Sequence, residues 1–179
     1  ERCVSCGICA GACPSSTPFR SDAGYVSGIE MPSLLMYKLR TAMMNDVAKL
    51  EGDERVMVFG CDNAADIEKL RSKGVSVLSL PCTAMLPPSF IEYVLHEHQV
   101  DGVFITGCRE NDCYHRLGVM WTEQRLAAKR EPRLRSRAER GRIRQFWASS
   151  ADFGELALEL EAFRSSLRRL GKSENVSKD

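Results

Sequence analysis

An α/β fold built on a parallel sheet is what this sequence predicts, and three observations predict it. From Gly52 onward short apolar runs alternate with segments of helical periodicity. The segments joining the runs are mostly about 10 residues or longer, the length a crossover between parallel strands needs. The runs Val56-Met57-Val58-Phe59 and Val103-Phe104-Ile105 are continuously apolar, as strands covered on both faces are. Right-handed βαβ units follow, giving a flavodoxin-like or Rossmann-like parallel sheet of about four strands.

The elements read in order as follows. Leu35, Leu39, Ala42, Met43, Val47 and Leu50 recur at helical spacing behind Pro32 and Ser33, which predicts one amphipathic helix. Arg55 to Phe59 is the first strand, and Ala64 to Lys73 is a helix that Gly74 stops at its C′ position. Val75 to Leu80 is the second strand. Ser89 to Gln99 carries Phe90, Ile91, Val94 and Leu95 on one helical face, and Gly102 to Thr106 is the third strand. Leu117, Met120, Trp121, Ala127 and Ala128 mark a further helix, and Ile143 to Trp147 is the fourth strand. Phe153, Leu156, Leu160, Phe163, Leu167 and Leu170 alternate threes and fours into a long last helix ended by Gly171. The chain therefore divides into a cysteine-rich segment over 1–30, a linking helix over 31–52, the α/β domain over 53–171 and a flexible tail over 172–179.

With Lys+Arg at 25 and Asp+Glu at 24, the formal charge is +1, so no global field recruits nucleic acid or an anionic membrane. No apolar run approaches the roughly 18 residues that span a bilayer, and no leader resembles a signal peptide. A cytoplasmic protein is expected. No nucleophile elbow, phosphate-binding loop or dinucleotide fingerprint is present, so no substrate-converting site of its own is evident.

The 8 cysteines carry the chemistry. A chain able to build its own core hardly needs four disulfides, so metal ligation is expected instead. Cys3-x2-Cys6-x2-Cys9-x3-Cys13-Pro14 is the bacterial ferredoxin run, whose tight spacing curls thiolates around a [4Fe-4S] cluster. Zinc prefers separated pairs. In two-cluster ferredoxins the cysteine before proline serves the other cluster. Cys13 therefore closes this cluster or ligates a neighbouring one, and the start at Glu1 fits a chain that continues upstream with a second run.

Cys61, Cys82, Cys108 and Cys113 follow the first three strands, which gathers all four at the carboxyl edge of the sheet. Open parallel sheets bind ligands at that edge, where helix N-termini favour thiolates. The spacing fits zinc, [2Fe-2S] and [4Fe-4S] alike.

Phe59-Gly60-Cys61, Leu80-Pro81-Cys82 before Pro88-Ser89-Phe90, and Asp101-Gly102-Val103-Phe104 leading into Gly107-Cys108-Arg109-Glu110-Asn111-Asp112-Cys113 resemble the delta subunit of methyl-viologen-reducing hydrogenase. The resemblance runs from Arg55 to Leu170. It implies a [2Fe-2S] cluster on Cys61, Cys82, Cys108 and Cys113. It also implies electron transfer between a hydrogenase or formate dehydrogenase and a flavoprotein of the heterodisulfide reductase A type, within a hetero-oligomeric complex. The family usually has further cysteines around the first strand end, where this chain has Cys61 alone.

Two other readings compete with the relay: a zinc-stabilised α/β interaction module, and a cluster-dependent disulfide reductase. His96 and His98 do not share a helical face. His115, two residues past Cys113, suits a surface or supporting position better than a ligand's. The basic run from Arg125 to Arg144 reads as solvated surface, as a docking face for an acidic redox partner or as a nucleic-acid patch without a reader motif.

Overall fold

A computed structural model of the chain describes residues 34–96, 99–136 and 138–171. The first cysteine group, the predicted helix start at Pro32 and Ser33, His98, Arg137 and the tail from 172 lie outside the described residues.

Four strands, β1 (Val56–Cys61), β2 (Val75–Leu80), β3 (Gly102–Gly107) and β4 (Ile143–Trp147), form one sheet in the order β2-β1-β3-β4. Every pairing is parallel. Because successive side chains on a strand point to opposite faces, β1 and β3 each feed two cores. Met57, Phe59, Val103 and Ile105 pack beneath helices α1 (Met36–Val47), α2 (Pro88–His96) and α3 (Gly118–Leu126). Val56, Val58 and Phe104 face the other way, under α4 (Phe153–Leu170).

The helical stripes are largely those the spacing marks, with three differences. In α3 the buried face is Gly118, Val119, Thr122 and Leu126, whereas Leu117 and Met120 of the expected stripe are exposed and Ala127 and Ala128 lie past its last residue, because the helix turns its small and β-branched side chains to the sheet edge. Leu39, Met43 and Val47 of α1 are buried, whereas Ala42 faces outward. More substantially, the helix expected over 64–73 is a single 3-10 turn, Ile67–Leu70. Asp66 stays extended and accepts from the Glu68 backbone N–H at 3.2 Å, so it starts a new turn where a helix would continue. Arg71 then leaves the turn, pairing with Asp46 and donating to the Val77 carbonyl at 3.0 Å. Ile67 and Leu70 still cover the sheet, so the turn does the burial the helix was expected to do.

Gly102 opens β3 where α4 lies closest. A Cβ there would stand 2.5 Å from Leu167 Cδ1 and 2.8 Å from Phe163 Cζ. The basic run is largely absorbed within the domain. Arg142 is buried and bonds Glu139, the Asp101 carbonyl and the Gly171 carbonyl. Arg135 pairs with Glu92, Arg144 with Glu159, and Arg130 covers the Trp121 ring.

Candidate metal centre

The strand order reverses between β1 and β3, and the crevice outside the carboxyl ends of such a pair is the usual ligand site of an open α/β sheet. Cys61 is the last residue of β1, and Cys108 is the first after β3. Register alone therefore sets the two sulfurs side by side, 3.9 Å apart. Two thiolates on one tetrahedral metal, each about 2.3 Å from it, stand about 3.8 Å apart. The first strand runs two residues further than its sequence pattern suggests, because burial continues through Gly60 to Cys61.

Cys82 and Cys113 arrive from the sides. Cys82 caps a 3-10 turn, Thr83–Met85, two residues after β2, and Cys113 lies in the loop between β3 and α3. Both sulfurs press on Gly118, the first residue of α3: a Cβ there would meet Cys82 Sγ at 2.5 Å and Cys113 Sγ at 3.0 Å. The cradle holds two sulfurs because the helix begins without a side chain.

All four thiols are free. Cys61, Cys82 and Cys108 are buried, and Cys113 is half-buried. Burial pushes the Cys61 thiol up to about 11, the backbone N–H of Asn63 opposes that rise, and Cys108 and Cys82 add to it. Burial likewise raises Cys82, opposed by the Ala84 backbone N–H. The Cys61 thiol lies 3.5 Å from the Pro81 carbonyl and the Cys108 thiol 3.8 Å from that of Asn63. The Asn63 side-chain amide donates to Pro81 O at 3.2 Å and stands 4.0 Å from Cys61 Sγ.

Among the described residues no three ligating side chains form a ready mononuclear cage. The close approaches run in pairs, Cys61 with Cys108 and Cys82 with Cys113 across Gly118. Four thiols on three loops, with a glycine cradle, are a donor set that fits a thiolate-bound iron–sulfur group.

Two supports fix the loops. Arg109, beside Cys108, forks onto Asp152, which also accepts from the Ser149 backbone N–H at 2.8 Å and the Ser149 hydroxyl at 2.7 Å. Arg109 first, then Ser149, holds the Asp152 carboxyl far below the usual carboxylate range. On the other flank Trp147 packs on the cysteine group and donates its indole N–H to Glu123 at 2.8 Å.

The structure thus brings together Cys61, Cys82, Cys108 and Cys113. It sets His115 outward, edge-on to the Tyr114 ring. His96 is exposed near the far end of α2. Sequence reasoning missed Gly118, Asn63 and Trp147, and it counted Arg125 among surface charges. A glycine opening a helix five residues after a cysteine was the one readable signal.

A parallel α/β sheet with four free thiols gathered at its switch point defines a domain whose ligand edge is lined by sulfur, at the place where nucleotide-binding open α/β sheets carry a phosphate loop. The chain belongs to the family of the methyl-viologen-reducing hydrogenase delta subunit, whose model matches residues 54–171. It is similar to the iron-sulfur subunit of the F420-non-reducing hydrogenase of Archaeoglobus profundus, 28% identical over 97 residues, which are 54% of this chain and 70% of that protein. It is also similar to one component of the Ferredoxin/F(420)H(2)-dependent CoB-CoM heterodisulfide reductase of Methanosarcina acetivorans, 23% identical over 114 residues. That match takes in 63% of this chain but 14% of that relative's length.

Proposed function

We propose that the chain is an iron–sulfur electron-transfer subunit, with a [2Fe-2S] cluster on Cys61, Cys82, Cys108 and Cys113 and a [4Fe-4S] cluster held at least by Cys3, Cys6 and Cys9, which Cys13 closes unless it serves a neighbouring cluster. The observation that carries this reading is the pairing of sulfurs at the switch point, Cys61 with Cys108 and Cys82 with Cys113. A binuclear cluster takes its four thiolates as two pairs, one on each iron. The ferredoxin run in the same chain favours redox iron over structural zinc. When bound, such clusters accept and release single electrons.

The protein's own residues would orient and insulate. Register fixes Cys61 and Cys108, and the Gly118 cradle admits Cys82 and Cys113. The Asn63 and Ala84 backbone N–H groups favour the thiolate forms of Cys61 and Cys82, and burial of three of the four cysteines keeps water away. Cys113, the least buried ligand, lies beside the exposed Tyr114, Leu117 and Met120, where a redox partner has the shortest approach. The relatives' names point to hydrogenase and heterodisulfide reductase complexes; the partners proposed are a hydrogenase or formate dehydrogenase on one side and a flavoprotein of the heterodisulfide reductase A type on the other. No helix among the described residues is long and apolar enough to cross a membrane.

The test is iron, zinc and acid-labile sulfide content of anaerobically purified chain, with low-temperature EPR after reduction. About six irons per chain, the sum for one cluster of each type, and two distinct reduced signals are expected. Cys82→Ser and Cys108→Ser each lose the second signal and keep the first. Zinc in the second site, or unchanged spectra in both variants, overturns the assignment.

A further inference from the structure

One stripe of α3 reads the turn after β2 residue by residue. Gly118 meets Cys82, Thr122 meets Thr83 with hydroxyl oxygens 3.2 Å apart, and Arg125 donates from Nη1 to the Ala84 carbonyl. Gly118, Thr122 and Arg125 stand at i, i+4 and i+7, so they share one helical face. The first two contacts are steric and neutral. The third brings a charge.

That charge is poorly matched. The Arg125 guanidinium is half-buried, and its Nε atom is buried with no hydrogen-bond partner. Arg125 forms no ion pair with any carboxylate among the described residues, although Arg133, Arg135, Arg142 and Arg144 nearby all do. A cation taken partly out of water with no anion beside it is costly, and a chain retains one where an anion is supplied by other means. Burial first, then Arg130, holds Arg125 below its ordinary range, and the one group that works the other way is the Cys82 sulfur, which carries the opposite charge once it is deprotonated.

We propose that Arg125 is the counter-charge of the cysteine-held cluster, a tuning residue that raises its reduction potential from the Cys82 side. The inference rests on the iron–sulfur reading above. Reduction adds one electron, no bond is made or broken, and each added negative charge is favoured by a fixed cation in a weakly screened setting. Arg125 acts through the Cys82 turn and touches no reacting group.

The experiment compares the full chain with Arg125→Lys and Arg125→Gln by iron and sulfide content and by an EPR-monitored redox titration of the second cluster. Lysine keeps the charge; glutamine keeps a donor for the Ala84 carbonyl but not the charge. In Arg125→Gln, with iron unchanged, the electron affinity falls about tenfold, which for one electron is a shift of about 59 mV to lower potential. Arg125→Lys stays close to the parent. A parent-like potential in Arg125→Gln, or equal shifts in both variants, overturns the inference and leaves Arg125 a structural clamp. If Arg125→Gln loses iron while Arg125→Lys keeps it, the charge is again what matters. Loss from both with unchanged circular dichroism means that it is not. A parent chain without a second cluster removes the iron–sulfur reading itself, and this inference with it, before any variant is compared.

Discussion

The hydrogen of Gly118 occupies the place where a Cβ would stand 2.5 Å from Cys82 Sγ. Alanine is favoured over glycine by about 1 kcal/mol in a helix interior and by less at the first helical position, where Gly118 stands, so Gly118→Ala ought to favour α3 slightly. The clash is relieved only if Cys82 swings its sulfur away, and that rotation removes it from the cradle it shares with Cys113. The two effects therefore separate. Gly118→Ala should match or exceed the parent's melting temperature as metal-free chain while holding substantially less iron in the second site. Metal analysis beside a thermal melt checks it; full iron loading would show that the cradle is not needed.

The carboxyl-edge gathering of four cysteines is legible because it needs only strand ends, and continuous apolar runs mark those. Cys61 and Cys108 terminate neighbouring parallel strands, so their 3.9 Å approach follows once the order is known. The turn at Ile67–Leu70 is less legible, since Ala64 to Lys73 carries helical spacing and only Asp66, a capping residue inside that stretch, signals the restart. Arg125 is hidden for another reason. In sequence it belongs to a run of like charges, and only packing against the Cys82 turn buries it. The supports from Asp152 and Trp147 join residues more than 20 positions apart, beyond the reach of any local pattern.

Phe163 separates stability from the site. It is fully buried, its ring centroid lies 5.9 Å from that of Phe104, and it packs over Gly102 at the start of β3. The cysteines lie past the opposite end of that strand, about 20 Å away at about 3.3 Å per residue. Phe163→Ala should cost about 3–5 kcal/mol, the usual range for emptying an aromatic site in a core. Urea denaturation measures the loss, and iron per folded chain should stay at the parent's value. A drop in iron occupancy among folded molecules would mean that the cysteine edge is coupled to the α4 face.

The Arg109–Asp152 fork predicts a pH-dependent support for the Cys108–Cys113 loop. Asp152 is held below the ordinary carboxylate range by Arg109 and then Ser149. A carboxyl whose folded pKa is depressed contributes stability that is complete above its unfolded value, about 3.9, and is lost as pH falls through the folded value. Asp152→Asn keeps the size and some of the hydrogen bonds to Ser149 but discards the charge. The variant should be less stable than the parent at pH 7, with the gap narrowing progressively below about pH 4, where the unfolded parent's Asp152 takes up a proton that the folded one still refuses. Arg109→Gln should show the same narrowing, and the double variant should lose less than the two single losses together, since both remove one interaction. Denaturation at neutral and acid pH reads each gap. A gap that stays constant across that range would assign the role of Asp152 to capping the turn at Ser149 and remove the ion pair from the support of the cysteine loop.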